Sequence, residues 1–254
     1  MFELSNEDRF NIILFLKESP RNVTGLAREL DLTTQETSRH LSRLNDVGLT
    51  RKDAEGMFNI TAFGYLTIRL TKGLGFISEH QDYFSNRDLG SFPQDLLCRL
   101  EELGKARYVD DVMVTVHNTQ RILREAEEYI LNINMPYISS SFPLRREAYE
   151  RGIVSKFLHT EDLKIPPVMH DDRDEVFNDE IISQYKKSEV YEERFIGKVD
   201  LILYMNEKEV GILTFPTIGG RYDFQGFNSR DETTLRYCRE IFQHYWDQGK
   251  QVIL

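Results

Sequence analysis

Over the first sixty residues the apolar positions recur at helical spacing and then give way to a short alternating stretch. "NEDRFNIILFLKES", residues 6–19, reads as a helix with Asn6 at its N-cap and Pro20 stopping it. In "NVTGLARELDL", Val23, Leu26, Ala27 and Leu30 fall at i, i+3, i+4 and i+7, which predicts a short amphipathic helix. A brief turn leads to a third helix, whose start is fixed by Thr33 and Glu36 as a Thr-x-x-Glu capping box. Thr37, Leu41 and Leu44 form its inner stripe, and Gly48 ends it. "LTRKDAEGMFNIT" then supplies two short strands about "EG", a hairpin. This order predicts a winged helix-turn-helix over residues 1–61.

The pattern changes twice more. From Ala62 to Ser85 a long helix is expected, weakened by Gly73 and Gly75 at about 1 kcal/mol each. The Gly-x-Gly of "KGLGF" follows no strand, so it reads as a helix irregularity. "SFPQDLLCRLEELGKA" predicts a second helix, capped near Ser91, with Leu96, Leu97, Leu100 and Leu103 on one face. Residues 62–107 are therefore read as a helical linker and dimerisation region. Beyond Tyr108 helices and strands alternate: helix 118–131, strand "YISSS", helix 143–151 and strand "IVSKFL". A loop with "IPPVMHDDRDE" precedes helix 178–187, then strands "YEERFI", "DLILYM" and "VGILTF". A final helix, 230–248, carries Leu235, Cys238, Ile241, Phe242 and Tyr245 at helical spacing. Residues 108–254 thus predict an α/β sensor domain around a mostly buried sheet, and the chain as a whole an α+β protein.

Composition narrows this picture. With 254 residues, 40% of them hydrophobic, the chain has the size and composition of an ordered protein of about two domains. Cys98 and Cys238 form no Cys-x-x-Cys pair, so neither a disulfide framework nor a zinc site is expected; both sit on inward helical stripes. The apolar runs "IILFL" and "LILYM" fall well short of the roughly 18 residues that suggest a membrane span. No basic leader precedes an apolar stretch in "MFELSNEDRF". A cytoplasmic protein without a membrane partner is the expectation.

The formal net charge of −10 argues against nucleic acid only if it is evenly spread. Residues 1–80 hold 10 Lys/Arg against 11 Asp/Glu, a net of −1, and the other 174 residues hold 22 against 31, a net of −9. The third helix can therefore carry a locally positive face. With Thr37, Leu41 and Leu44 inward, its candidate DNA-contacting residues are Thr34, Gln35, Ser38, Arg39, His40, Ser42 and Arg43. Arg can bond guanine bidentately and Gln adenine, while Ser serves base edges or phosphate. Arg51 and Lys52 open the wing, where cations would meet the flanking backbone or minor groove. Against this stand the alternatives that the polar arc is only a solvated face, that His40 packs at the domain edge, and that Glu36 serves its cap. Asp53 and Glu55 oppose phosphate at the wing tip.

"ETSRHLSRLNDVGLTRK…GMFNITAFG" resembles the winged helix of archaeal and bacterial regulators of the arsenical-resistance-repressor type, in which a Ser-Arg-His-Leu helix precedes Gly-Leu and a wing ending in Thr-x-x-Gly. The whole layout is similar to the archaeal methanogenesis-regulator family, which pairs such a domain with a C-terminal sensor. "VDLILYMNEKEVGILTF…DETTLRYCREIFQHYW" carries the likeness in the second half. The resemblance implies that Gln35, Ser38, Arg39, His40 and Arg43 occupy recognition-helix positions. Thr37 and Thr50 stand where the family more often has branched apolar residues. The partners it implies are double-stranded DNA, a second copy of the chain and a small-molecule effector.

Related sensor domains look like phospholipase-D folds, whose enzymes use His-x-Lys. Here His159 is followed at 161 by Glu, so the second cation for phosphoryl stabilisation is missing. No catalytic residue, metal or cofactor is expected. The candidate ligand site is Ser139, Ser140 and Ser141 at a strand-to-helix junction, where backbone N–H groups can hold an anion, with Arg145, Arg146 and His159. "HDDRDE", residues 170–175, is a weaker metal-like cluster, and "TIGGR" lacks the Lys and Ser/Thr of a phosphate loop and reads as a turn. The expected function is a sequence-specific, dimeric DNA-binding regulator with an effector site. The alternative is a phospholipase-D-like or nucleotide-acting enzyme that uses its winged helix for protein contact.

Overall fold

The computed structural model describes residues 2–136, 138–161 and 179–251. It divides into two compact units, Met1–Gly75 and Phe76–Leu254.

The first unit opens with a 3₁₀ turn, Phe2–Ser5, followed by helices α1 (Glu7–Glu18), α2 (Val23–Glu29) and α3 (Thr34–Asp46). Strands β1 (Thr50–Lys52) and β2 (Phe58–Ile60) follow, then helix α4 (Ala62–Glu79), in which the unit boundary falls. Asn6 Oδ1 accepts the Arg9 N–H at 3.1 Å and Asn22 Oδ1 the Gly25 N–H at 2.8 Å, so both short helices begin at Asn caps. Ile12, Ile13 and Leu16 of α1, Leu26 of α2, and Leu41 and Leu44 of α3 close one core with Leu49, Phe58 and Ile68. β1 and β2 are antiparallel, with Thr50 opposite Ile60 and Lys52 opposite Phe58. α4 backs onto the chain entering the wing: a Cβ at Gly64 would lie 2.1 Å from the Leu49 carbonyl oxygen. The unit is a winged helix-turn-helix.

In the second unit α5 (Gln81–Phe84), α6 (Gln94–Leu97) and a 3₁₀ turn (Leu100–Leu103) precede β3 (Arg107–Val109), α7 (Val112–Glu125), β4 (Tyr129–Ile133) and α8 (Phe142–Glu150). Then come β5 (Val154–Thr160), α9 (Asp179–Lys187), β6 (Tyr191–Ile196), β7 (Ile202–Asn206), β8 (Val210–Thr214), β9 (Gly226–Ser229) and α10 (Glu232–Trp246). Among the described residues the sheet order is β3-β9-β8-β7-β4-β5-β6, parallel from β4 to β6 and antiparallel elsewhere. Side chains alternate between its faces. Leu203 and Met205 of β7 join Leu131 and Ile133 of β4 and α10 on one side, whereas Ile202 and Tyr204 meet Ile130 and α7 on the other. Both faces are covered, which is why "LILYM" is uniformly apolar. Phe76, Tyr83, Phe92, Leu96, Leu100 and Leu103 belong to the same core as α10. Among the described residues no helix is long and apolar enough to cross a membrane.

Several sequence expectations shift here. The helix placed at 118–131 is α7 at Val112–Glu125, started by Asp111, whose side chain accepts the Met113 N–H at 2.8 Å. The strand placed on "YISSS" is instead β4, "YILNI", and Ser139–Ser141 form a 3₁₀ turn. The helix expected through residues 91–106 breaks into α6 and a 3₁₀ turn. There the Leu96 carbonyl accepts both the Arg99 N–H at 2.9 Å and the Tyr237 hydroxyl at 2.8 Å, a tightened turn anchored from α10. As a result Leu97 turns outward and Cys98 is exposed, not buried, while Cys238 is buried and its thiol pKa is pushed up by burial. β3 and β9 are four residues or shorter and gave no periodic signal.

Candidate nucleic-acid interface

The third helix is built to hold a polar face steady. Thr33 Oγ1 accepts the Glu36 N–H at 3.2 Å, and Glu36 Oε2 accepts the Thr33 N–H at 3.1 Å and its hydroxyl at 2.7 Å. These bonds from Thr33 hold the Glu36 carboxyl below the usual carboxylate range, so Glu36 is a cap and not a base reader. Thr37 is buried and returns its hydroxyl to the Thr33 carbonyl at 3.0 Å. With Thr37, Leu41 and Leu44 fully buried, Thr34, Gln35, Ser38, Arg39, Ser42 and Arg43 are left exposed along one side. Gly48, at φ +75°, takes the left-handed turn that ends the helix and leads into β1.

His40 departs from the expected row. It is buried, 6% exposed, with Nε2 3.6 Å from Asp8 Oδ2 of α1. Burial lowers its pKa, against the opposing pull of Asp8. The reason is angular: His40 follows Thr37 by three residues and so shares the inner stripe. His40 belongs to the α1–α3 packing and not to the outward face. Arg43 also differs from a free surface cation, since its Nη2 donates to Glu3 Oε1 at 2.9 Å. Sequence reading missed Glu3 because the partners lie forty positions apart and no local pattern links them.

The wing follows the expectation in part. Arg51 and Lys52 are exposed on β1, and the Lys52 Nζ lies 5.6 Å above the Phe58 ring. Asp53, though exposed, is engaged within the hairpin: its two oxygens accept the Met57 N–H at 2.8 Å and the Asn59 amide at 2.9 Å, closing the turn. Glu55 remains exposed at the tip.

In the second unit, the six residues expected to form one ligand site do not converge. Arg145 and His159 do meet around Phe157: the guanidinium lies 5.0 Å over its ring, and the imidazole stacks on it at 6.1 Å and 19°. His159 Nε2 is 3.5 Å from Glu193 Oε1. Ser141 is buried and donates to the Ile138 carbonyl at 2.6 Å. Ser140 is instead exposed, accepting from Gln120 at 3.3 Å, and Arg146 points outward to Glu150 at 3.0 Å. α8 begins at Phe142, so Phe142, Arg145 and Tyr149 face inward and Arg146 cannot. The Ser139 side chain and "HDDRDE" lie outside the described residues.

A cleft of about 490 Å³ opens where β4, β5 and β8 end, lined by Asn134, Thr160, Asp200, Pro216, Tyr222 and Phe224 among others. Its pivot is Asn134, at φ +52°, whose amide donates to the Val199 and Leu201 carbonyls at 2.9 and 3.2 Å and accepts the Thr160 N–H at 3.0 Å. "TIGGR" supplies the rim through Ile218 and Gly220.

The capped third helix, the hairpin and the outward polar row place the first unit in the class of winged helix-turn-helix domains. Residues 6–52 match the family model described as bacterial regulatory protein, arsR family. No curated protein matches the chain. Among solved structures, the chain is similar to TrmBL2, an archaeal chromatin protein whose structure shows a novel mode of DNA binding, at 18% identity over 97% of this chain and 94% of that one, TM-score 0.44. It is also similar to NucT from Helicobacter pylori, at 8% identity over 58% of this chain and 97% of that one, TM-score 0.40. An O-methyltransferase family protein from Burkholderia thailandensis shares 12% identity over 78% of this chain and 63% of that one, TM-score 0.26.

Proposed function

We propose that this chain is a sequence-specific DNA-binding transcription regulator, which acts as a homodimer and answers a small-molecule effector. The observation that carries the reading is the exposed row Gln35, Ser38, Arg39, Ser42 and Arg43 on a helix fixed by its capping box and by the core beneath it, in a segment that matches a regulatory-protein family. Such a helix would enter the major groove with its N-terminal half toward base edges, and the exposed Arg51 and Lys52 would meet phosphate. In a dimer the two helices would read half-sites about one helical turn apart.

α4 supports self-association. Phe63, Leu66, Leu70 and Leu74 are 60, 55, 80 and 53% exposed, an apolar row at successive spacings of three, four and four residues along one face of the helix. The effector is proposed to enter the cleft at the ends of β4, β5 and β8, because open sheets of this kind bind ligands beyond the carboxyl ends of their strands. An effector coupling of roughly 1–3 kcal/mol would change operator affinity about 5–150-fold. A binding role without catalysis is favoured because Glu161 stands where the His-x-Lys pattern requires its Lys.

The test is selection of bound sequences from a randomised duplex pool by the full chain, beside the Arg39→Ala/Arg43→Ala variant. Wild type is expected to enrich one recurring motif, which the variant loses. No enrichment by the wild type, with or without cell extract as an effector source, would overturn the reading.

A further inference from the structure

Arg43 is half exposed, with 45% of its side-chain surface open, yet its guanidinium is held. Nη2 donates to Glu3 Oε1 at 2.9 Å, while Nε and Nη1 make no hydrogen bond among the described residues. Glu3 is the anchored member of the pair. Its side chain is only 14% exposed, and Arg9 holds the residue through one nitrogen: Nε donates to the Glu3 backbone carbonyl at 2.8 Å and lies in charge contact with Glu3 Oε2 at 2.9 Å. Arg9, 6% exposed, sits on α1, whose Ile12, Ile13 and Leu16 fill the core beneath α3. Contacts therefore run from the core-packed α1 through Arg9 to the Glu3 carboxylate, and from that carboxylate to Arg43.

A guanine edge presents two acceptors, O6 and N7, and is read when a guanidinium offers two N–H groups in one plane. A long side chain that must find this plane only on binding loses rotamer freedom at that moment. One already bonded at a single nitrogen has lost much of it beforehand and keeps donors for the base. The carboxylate has a second effect, since a negative charge behind the arginine opposes phosphate and weakens binding to duplexes that offer Arg43 no base partner.

We propose, resting on the DNA-binding reading above, that Glu3 is a positioning residue for base recognition, fixing the guanidinium plane of Arg43 so that it raises discrimination between sequences and not overall affinity. Discrimination means the affinity ratio between the selected motif and a scrambled duplex of equal length. In Glu3→Gln this ratio is expected to fall about tenfold, within the range of a bidentate base contact, with scrambled-duplex affinity unchanged or tighter.

Because the substitution also loosens Arg9, thermal midpoints are measured in parallel, and the substitution is repeated in an Arg43→Ala background. There Glu3→Gln should leave the ratio unchanged, since the group it positions is gone. An equal loss of ratio in both backgrounds, or none in the wild-type background, would overturn the proposal while leaving DNA binding intact. A wild type that binds the pool without enriching any motif removes the base recognition itself, and the proposal with it.

Discussion

At the scale of single residues, a polar side chain's angular position on its element decides whether it meets the core or solvent. His40 faces Asp8 and goes inside; Arg39, one position earlier, points out with Gln35 and Ser38. Glu209 is the clearest buried case, 1% exposed and surrounded by donors. It accepts from Arg121 Nε at 2.9 Å and from Arg121 Nη2, from Asn228 at 2.7 Å and from Arg230 Nε at 3.0 Å. Burial pushes this carboxyl pKa up, but the bonds from Arg121, Asn228 and Arg230 outweigh it and hold it below the usual range. A folded pKa below the unfolded one gives stability that is complete above the unfolded value, near 4.3, and is lost as pH falls through the folded value. Glu209→Gln is expected to cost roughly 2–3 kcal/mol, less than a wholly buried pair because Arg121 and Arg230 reach solvent. The check is thermal unfolding against pH, where the variant should lose less than wild type on acidification below about pH 4.

At the scale of elements, those with their own start signals stood where the sequence put them. α1, α2 and α3 each begin at a side chain that accepts a first-turn N–H; Asn6 and Thr33 are read from the sequence, and the structure adds Asn22. Thr33→Ala removes the hydroxyl half of the reciprocal cap, leaving the backbone N–H bond to Glu36, and is expected to cost about 1 kcal/mol. Hydrogen exchange of the amides at 34–37 should speed up selectively, and motif affinity should weaken by less than in Arg39→Ala. Elements were misread where a distant group sets their limit or where no apolar stripe accompanies the cap. α6 stops because Tyr237 reaches the Leu96 carbonyl from α10. α7 begins early because Asp111 caps a first turn with Val112, Met113 and Val114 exposed, so no apolar stripe announced it.

At the scale of the molecule, the exposed row of α4 carries the assembly prediction. Leu66→Glu/Leu70→Glu places two charges at the centre of that row, where no described residue of the first unit's core depends on them. Sedimentation should show a dimer for wild type and a monomer for the variant at micromolar concentration. The variant should keep its thermal midpoint and lose preference for paired half-sites. A dimer that persists in the variant would place self-association elsewhere.

By itself the sequence determined the winged helix, the exposed polar row of α3 apart from His40, and the buried sheet, because caps, helical spacing and apolar runs act within a few residues of each other. Tertiary structure alone decided which of the charged residues are available. Glu3 found Arg43 and Glu209 found Arg121 and Arg230 across 40, 88 and 21 positions of chain. The cleft around Asn134 likewise draws its walls from residues 88 to 224. Such partners are chosen by burial and geometry after the chain has folded back on itself, so no local pattern can announce them.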